Sequence, residues 1–224
     1  MVEKRKSKTG GTKTPKAPER VRREPERTRA RILEAARVEF ARRGLGGARV
    51  DQITARAGSN KRMIYYYFGD KEALFLAALE SAYEHIRQAE QSLRLTDLAP
   101  AEGMRRLVRF TWEYYLAHPE FITLLNSENL HRARHLKKSK EIRALHSPLV
   151  AMIKGLLRRG QRAGVFRHGV DPVQLYISIA ALGYFYLSNN HTLSTIFGRD
   201  LMRSQALKQR LGHMTGLVLG YLSK

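Results

Sequence analysis

The stretch Ala57–Leu74, AGSNKRMIYYYFGDKEAL, determines how the surrounding sequence folds. A turn glycine, Gly58, precedes two possible helix caps, Ser59 and Asn60, and two cations and three consecutive tyrosines follow. A short helix that opens in this way carries long hydrogen-bond donors at its exposed N-terminal end and hydroxyl-tipped rings one turn later. This chemistry is typical of a helix that lies in a DNA groove.

The residues upstream predict the helices that support this one. Apolar residues at helical spacing over 50–57 predict a short helix that stops at Gly58. A longer apolar stripe predicts a first helix over 25–44, and the third helix covers 60–68. A supporting helix, a glycine turn and a second short helix together predict a helix-turn-helix.

The third helix supplies the candidate DNA contacts. Lys61 and Arg62 lie in its first turn, where either side chain can donate to guanine O6 and N7, and Tyr66 is a third candidate for base edges. Phosphate contacts fix register without reading sequence. The candidates for phosphate contacts are Tyr65, Tyr67 and Lys71.

An ordinary helical hairpin with its tyrosines in a core is the alternative. Three tyrosines in a row cannot all face one core, because successive residues lie about 100° apart around a helix. We expect Ile64 and Phe68 to face inward instead, packed on Phe40 and Ile53.

Residues 27–75 resemble the N-terminal domain of the TetR/AcrR family of transcriptional repressors. The family pattern has a helix ending in Phe-x-x-x-Gly, a Thr-x-x-x-Ile-Ala-x-x-Ala-Gly-Val-Ser supporting helix and turn, and a Leu-Tyr-x-Tyr-Phe-x-x-Lys-Glu-x-Leu recognition segment. The matching residues here are Phe40–Gly44, Arg49–Asn60 and Ile64–Leu74. The candidate DNA-contacting set is completed by Arg49, Ser59 and Asn60.

Five positions depart from the family pattern. Arg49 stands where threonine is usual, so the hydroxyl cap of the supporting helix is missing. Thr54 places a hydroxyl on a face expected to be apolar, and Ser59–Asn60 makes the turn more polar. Arg62 occupies a position that is often small. These departures bear on operator preference rather than on DNA binding itself.

Composition favours a polyanionic partner, because the net charge is +21. Residues 1–70 hold 19 Lys and Arg against 8 Asp and Glu, and residues 71–224 hold 22 against 12, so the charge is denser in the first third. A proteome rich in arginine is the alternative explanation. Cysteine is absent, which excludes disulfides and thiolate metal sites. The chain has neither a signal-peptide pattern nor an apolar run long enough for a membrane span, so we expect a cytoplasmic protein.

Residues 1–24 are predicted to form a disordered basic tail, since they carry nine cations and almost no aliphatic side chains. Two interpretations stay open. The tail lies along phosphates or in a minor groove, or it is solvated without specific contacts.

The rest of the sequence predicts an all-α fold of about nine helices. Residues 25–70 form the helix-turn-helix DNA-binding domain, and residues 71–224 form a helical ligand-binding and dimerisation domain. Asp70 caps a long fourth helix. Further helices are predicted near 100–117, 120–136, 147–163, 172–190 and 200–222.

A glycine stripe marks the last helix. Gly212, Gly216 and Gly220 recur at every fourth residue beside Leu217, and each glycine inside a helix costs about 1 kcal/mol relative to alanine. The stripe therefore predicts close approach of another helix. Together with the helix that contains Tyr184, it predicts half of a four-helix dimer interface; packing against the chain's own core is the alternative.

The resemblance implies a small-molecule site in the C-terminal domain. Candidate lining residues are Trp112, Tyr115, Phe121, Leu125, Glu128, His131, Arg132, Phe166, Tyr176 and Phe185. Helical spacing puts Glu128, His131 and His135 on one face. A metal site, polar anchoring of a ligand and a solvated helix end are the three interpretations of that face; a complete ligand set is not evident, and we predict no metal or other cofactor.

The sequence as a whole predicts a homodimeric, ligand-responsive regulator. Its expected partners are double-stranded DNA and an unidentified small molecule. Repression from an inverted-repeat operator is the expected mode. An activator on the same scaffold and a non-specific nucleic-acid-binding protein are the alternatives. Catalytic motifs are absent, so the chain is not expected to be an enzyme.

Overall fold

A computed structural model describes residues 19–224, with side chains for residues 24–142, 144 and 148–224. This part of the chain forms ten α-helices and two short 3₁₀ turns, Leu95–Asp97 and Leu136–Lys138. The predicted all-α class is confirmed. The helices are α1 (Glu19–Gly47), α2 (Val50–Ala57), α3 (Lys61–Phe68), α4 (Lys71–Gln91), α5 (Pro100–Ala117), α6 (Pro119–Leu130), α7 (Glu141–Arg162), α8 (Pro172–Ser188), α9 (Asn190–Ile196) and α10 (Ser204–Leu222).

The first helix begins earlier than the sequence predicted. α1 starts at Glu19 and continues through Pro25, so the predicted disordered tail, residues 1–24, overlaps its first turns. Residues 19–24, with the sequence Glu-Arg-Val-Arg-Arg-Glu, contain good helix formers and a single β-branched residue, Val21, which favours a helix. The rest of the predicted tail, residues 1–18, lies outside the described residues.

The first three helices share one core. Ile32 of α1, Ile53 of α2 and Ile64 of α3 are fully buried. The inward position predicted for Ile64 is therefore confirmed. Phe40 of α1 meets Phe75 of α4 edge to face, with ring centroids 5.1 Å apart. This contact joins the core of the helix-turn-helix to the long helix that follows it.

A kink at the end of α1 brings the C-terminal domain against the helix-turn-helix. Gly44 leaves the helical region with φ 62° and ψ −179°, so the regular helix ends where the sequence predicted. One residue later, the Leu45 N–H donates to Ser127 Oγ of α6 at 3.1 Å. Because α6 also packs extensively on α1, the two domains are in direct contact through these helices.

The C-terminal domain is built around α5, which packs against α7, α8 and α10. Trp112 and Met104 of α5 are buried at its centre. None of the described helices combines the length and the apolarity that crossing a membrane requires.

Two helices of the C-terminal domain have other bounds than predicted, and one helix was not predicted. The helix expected over 120–136 ends at Leu130, because Arg132 and Ala133 take left-handed φ values of 55° and 56°. α7 begins at Glu141 and accommodates Pro148, which the sequence treated as a boundary. The short helix α9 was not predicted.

The end of α7 depends on a glycine. A Cβ on Gly160 would overlap the ring of Phe166, which is buried against this helix after the chain reverses. Gly155, one and a half turns earlier, is exposed, and a Cβ there would meet nothing within 4 Å. Of these two glycines, Gly160 is therefore the one that packing requires.

These two glycines give a matched test of the packing. Gly160→Ala should lower the free energy of unfolding by about 1–3 kcal/mol through overpacking, whereas Gly155→Ala should raise it by roughly 0.5–1 kcal/mol through helix propensity. Urea denaturation of the two variants measures both effects. Equal changes at the two positions would contradict the packing assigned to Phe166.

Candidate functional site

The turn between α2 and α3 is a helix C-cap built on Gly58. This residue has φ 57° and ψ 44°, and its N–H donates to the Ala55 carbonyl at 3.3 Å. The Ser59 N–H donates to the Thr54 carbonyl at 3.0 Å. The two bonds form a Schellman motif. Asn60 then caps α3 by accepting from the Met63 N–H at 3.1 Å, so the predicted turn and cap are confirmed.

The start of α2 is tied to α1 by a buried carboxylate, although the side-chain cap is missing. Arg49 makes no side-chain cap, but its N–H donates to Glu39 Oε1 of α1 at 3.2 Å. Arg43 lies 3.5 Å from the same oxygen. The hydroxyl of Thr54 is satisfied as well, since Oγ1 donates to the Asp51 carbonyl at 2.9 Å. The hydroxyl of Thr54 thus has a partner within α2, whereas the side chain of Arg49 leaves α2 without a side-chain cap.

The outer face of α3 is cationic and aromatic. Tyr66 is 77% exposed and Tyr65 is 54% exposed, while Tyr67 is half-buried and meets the Tyr66 ring at 5.0 Å. Arg62 is exposed, and no acidic side chain in the described part of the chain lies within ion-pair distance of it. This face presents donors and rings to solvent rather than to a core.

Lys61 has a partner that the sequence did not reveal. Its Nζ lies 2.8 Å from Asp51 Oδ1, across the turn from α3 to α2. The hydrogen bond and charge of Lys61 lower the pKa of Asp51, and Asp51 raises the pKa of Lys61. Both side chains are exposed, so water and salt screen the pair. The pair ties the two helices together in the free protein and places a negative charge beside the candidate DNA contacts.

Lys71 also has an internal partner. Its half-buried ammonium donates to the Ala48 carbonyl at 2.8 Å, which links the start of α4 to the loop before α2. A cation that sequence reasoning missed is Arg31 of α1, whose Nη1 lies 3.9 Å from the position of a Cβ on Gly58. Because Arg31 is far from Gly58 in the sequence, no local pattern indicated that the two residues are close in the fold.

Glu128 and His135 hold the loop after α6. The Glu128 carboxylate is buried and accepts from the backbone N–H groups of His135 and Leu136 at 2.9 and 3.0 Å. His135 Nδ1 lies 2.5 Å from its other oxygen. Within this loop, Arg134 pairs with Glu72 in the first turn of α4 at 2.5 Å. These polar groups connect α6 to α4 at the boundary with the helix-turn-helix.

The other two polar candidates lie in the same loop. His131 Nδ1 is 2.7 Å from the Ser127 carbonyl, and Arg132 is exposed. Across the described residues, no group of three or more His, Asp and Glu side chains is arranged to hold a metal ion. Glu128, His131 and Arg132 thus surround a helix end rather than an apolar cavity.

An interior aromatic cluster brings together four of the predicted lining residues. Tyr115 stacks on Phe121 with centroids 6.0 Å apart. A Cβ on Gly183 of α8 would meet the rings of both Tyr115 and Trp112. Tyr176 lies close enough to act electrostatically on the Tyr115 hydroxyl, whose pKa is raised by burial and by this neighbour. Helices α5, α6 and α8 therefore converge on one aromatic site.

The remaining predicted lining residues lie elsewhere. Leu125 is half-buried against the core, Phe166 packs on Gly160 at the end of α7, and Phe185 is exposed on α8. Beside the aromatic cluster, a cavity of about 330 Å³ is bounded by α5, α6, α8 and the start of α9. Tyr115 and Asn126 belong to its lining.

A buried ion pair lies behind this cluster and was missed by the sequence. Arg87 and Glu90 of α4 are each 2% exposed, with Arg87 Nη1 2.8 Å from Glu90 Oε2. Arg87 Nη2 donates to the Tyr176 hydroxyl at 3.0 Å. Burial raises the pKa of Glu90 to about 7, although Arg87 opposes the shift. Nothing in the sequence indicated this burial, because an arginine and a glutamate at i, i+3 spacing are typical of an exposed helix surface.

The outer sides of α8 and α10 form an exposed apolar surface, here called the α8–α10 face. Its exposed residues are Val173, Ile177, Phe185, Leu217 and Tyr221. A Cβ on Gly212, Gly216 or Gly220 would meet nothing within 4 Å in the same chain. The glycines are thus not required by packing within the subunit. Tyr184, predicted for this face, points inward instead, because its hydroxyl donates to Asn126 Oδ1.

A three-helix unit with an exposed cationic helix, joined to a helical domain with an interior polar site, defines a helix-turn-helix regulator. Family comparisons agree. The model for "Bacterial regulatory proteins, tetR family" matches residues 32–78, and the model for "Tetracyclin repressor-like, C-terminal domain" matches residues 100–218.

Individual proteins show the same relationship. The HTH-type transcriptional repressor NicS of Pseudomonas putida is 45% identical over 194 residues, which cover 87% of this chain and 92% of NicS. The HTH-type transcriptional repressor SCO4008 of Streptomyces coelicolor is 34% identical, over 71% of this chain and 78% of that protein. A solved TetR regulator from Chloroflexus aurantiacus shares the fold with a TM-score of 0.67 at 20% identity, covering 90% of this chain and 98% of that chain.

This chain therefore belongs to the TetR family of bacterial transcriptional regulators. It is a DNA-binding regulator, and its family and relatives are not enzymes.

The ion pair of Lys61 gives a test on the DNA-facing surface. Asp51→Asn removes a negative charge beside α3 and releases Lys61, so affinity for DNA of any sequence should rise roughly two- to fivefold at low salt. Asp97→Asn is the control, because Asp97 pairs with Arg94 at 3.3 Å near the opposite end of α4. Fluorescence anisotropy against a random duplex measures both; a similar gain in the control would contradict the assignment.

The raised pKa of Glu90 gives a test on the interior. A carboxyl group whose pKa rises on folding stabilises the fold at low pH and loses that contribution as pH rises through the folded value. The shift from 4.5 to about 7 corresponds to about 3 kcal/mol. Glu90→Gln should remove this loss between pH 5 and pH 8, as measured by urea denaturation. The exposed Glu84→Gln should follow the wild type, and identical pH profiles for all three proteins would refute the burial argument.

Proposed function

We propose that this protein is a homodimeric transcriptional repressor that binds an inverted-repeat operator and is released by a small-molecule effector. The observation that carries the proposal is the exposed outer face of α3, with Arg62 and Tyr66 open to solvent. Both relatives described above are named as repressors. Because its proposed target is DNA, we also propose that the protein is cytoplasmic.

In this proposal each subunit places α3 in a major groove. Arg62 and Lys61 read base edges. Lys61 first leaves its ion pair with Asp51. Tyr66 is the third side chain that reaches base edges. The phosphate contacts come from Tyr65 and Tyr67, with Arg49, Ser59 and Asn60 beside them. Lys71 supports binding mainly through Ala48, because its ammonium already donates there.

Dimerisation is proposed to use the α8–α10 face. Two copies of this face form a four-helix interface around a two-fold axis. Support comes from Leu217 and Tyr221, which are exposed. The three glycines add to it, because they carry no side chain that would keep a second helix at a distance from α10. The two-fold axis then presents two α3 helices to an inverted repeat.

Release by an effector requires coupling between the domains. A ligand that binds more tightly to a conformation unsuited to DNA shifts the population toward it, with a coupling free energy of about 1–3 kcal/mol. The contacts that can carry this coupling are the Leu45 bond to Ser127 and the Arg134 pair with Glu72. They join α6 to the end of α1 and the start of α4.

A non-specific nucleic-acid-binding protein is the second candidate, favoured by the net charge of +21. An activator on the same scaffold differs only in the sign of regulation. Competition separates a specific regulator from a charge-driven binder, because a regulator keeps one inverted repeat protected against excess random DNA.

The DNA-reading role of α3 is tested with an operator selected from randomised DNA by the purified protein. Arg62→Ala should cost about 1–3 kcal/mol on that operator and much less on random DNA. Arg105→Ala, an exposed cation on α5, should leave both affinities unchanged. Equal losses on operator and random DNA for the Arg62 variant would oppose sequence reading by this residue.

The dimer interface is tested by adding a side chain to α10. Gly216→Leu should shift the protein from dimer to monomer in analytical ultracentrifugation, because the added side chain blocks close helix approach. Gly155→Leu is the control, since Gly155 is also an exposed helical glycine with free space around it. A dimer that survives Gly216→Leu unchanged would show that its interface lies elsewhere.

A further inference from the structure

The guanidinium of Arg87 is buried with two of its three nitrogens unsatisfied. Nε and Nη1 have no hydrogen-bond partner among the described residues, and neither does Glu90 Oε2. The 2.8 Å approach of Nη1 to Glu90 is an ion pair without hydrogen-bond alignment. Buried polar groups are almost always hydrogen-bonded, and those that are not require an explanation. A buried arginine with free donors is suited to an anion.

The counter-charge of Arg87 is incomplete as well. Arginine remains protonated in proteins, while burial raises the pKa of Glu90 to about 7. The neighbouring hydroxyls add no negative charge near neutral pH, since burial raises the pKa of Tyr83 to about 12 and that of Tyr115 further. The interior therefore holds a cation that its own carboxylate neutralises only in part.

The surroundings of Arg87 suit a small, flat molecule. The guanidinium carbon lies 5.5 Å from the centre of the Tyr176 ring, and Tyr115 and Phe121 stack nearby. Tyr115 is within electrostatic reach of Arg87, and it also lines the cavity of about 330 Å³ on the side of α6 and α9. A volume of this size is at the lower end of small-molecule sites.

We propose that Arg87 is the anchor of the effector site and that the effector is a small aromatic carboxylate. Its carboxylate accepts hydrogen bonds from the free donors of Arg87 and replaces Glu90 as the main counter-charge, while its ring packs among the tyrosines. This assignment rests on the proposed effector response, whose ligand it narrows to one chemical class.

Isothermal titration calorimetry with the full-length protein tests the site. The probes are benzoate, phenylacetate and indole-3-carboxylate, each compared with the amide of the same skeleton. We expect at least one carboxylate to bind and its uncharged amide to bind roughly thirtyfold or more weakly, because a buried cation requires the charge. Acetate, which lacks a ring, should bind weakly. Failure of all three carboxylates at millimolar concentration, or equal binding of acid and amide, would overturn the proposal.

Three variants separate the role of Arg87 from general effects. Arg87→Met should lose the carboxylate by roughly thirtyfold or more, while Arg109→Met, an exposed arginine on α5, should bind as the wild type does. Glu90→Gln keeps Arg87 and removes the competing charge, so it should bind the carboxylate about threefold or more tightly. This gain cannot arise from misfolding. Unchanged affinity in Arg87→Met, or weaker binding in Glu90→Gln, would contradict the proposal.

DNA binding, measured in the same samples, distinguishes the two levels of the account. A carboxylate that binds through Arg87 but leaves the operator complex intact supports the site and contradicts the proposed effector response. Release of the operator by an uncharged molecule, equally in wild type and Arg87→Met, supports the effector response and overturns the carboxylate assignment.

Discussion

The burial of one face of α3 is the constraint on which the rest of the structure depends. An eight-residue helix is too short to be stable alone in water, so its position is set by its anchors: the fully buried Ile64 and the cap at Asn60. Gly58 directs the chain into this helix with a left-handed φ of 57°. Once Ile64 faces inward, helical geometry turns Arg62 and Tyr66 outward. The same contact that stabilises the small domain therefore creates its DNA-facing surface.

The two domains are connected by polar contacts rather than by a flexible linker. The kink at Gly44 exposes the Leu45 N–H, and Ser127 of α6 accepts it. Because a backbone N–H buried without a partner is costly, movement of α6 must either carry the end of α1 with it or break this bond. The ion pair between Arg134 and Glu72 makes a second connection, to the start of α4. A change inside the C-terminal domain thus has a direct physical route to the helices that support α3.

Sequence alone predicted the elements whose signals are local. The bounds of α2, α3 and α5 follow from Gly58, Asn60 and Pro100, each of which fixes a helix end through its own backbone or side chain. The interior site was only half predicted. Aromatic residues such as Tyr115 were recognised, but Arg87 was not, since its burial depends on α8 lying over it. Likewise, the pairing of Lys61 with Asp51 depends on the path of the turn, which periodicity does not describe.

The most direct measurement of the central claim is photo-cross-linking from Tyr66 to an operator fragment selected from randomised DNA. A cross-linker at this 77% exposed position should label two major-groove positions related by the two-fold axis of the site, and a cross-linker at Val173 on the α8–α10 face should label none. Labelling from Val173 instead, or scattered labelling from Tyr66 along the whole duplex, would contradict an account in which a pair of α3 helices reads the DNA.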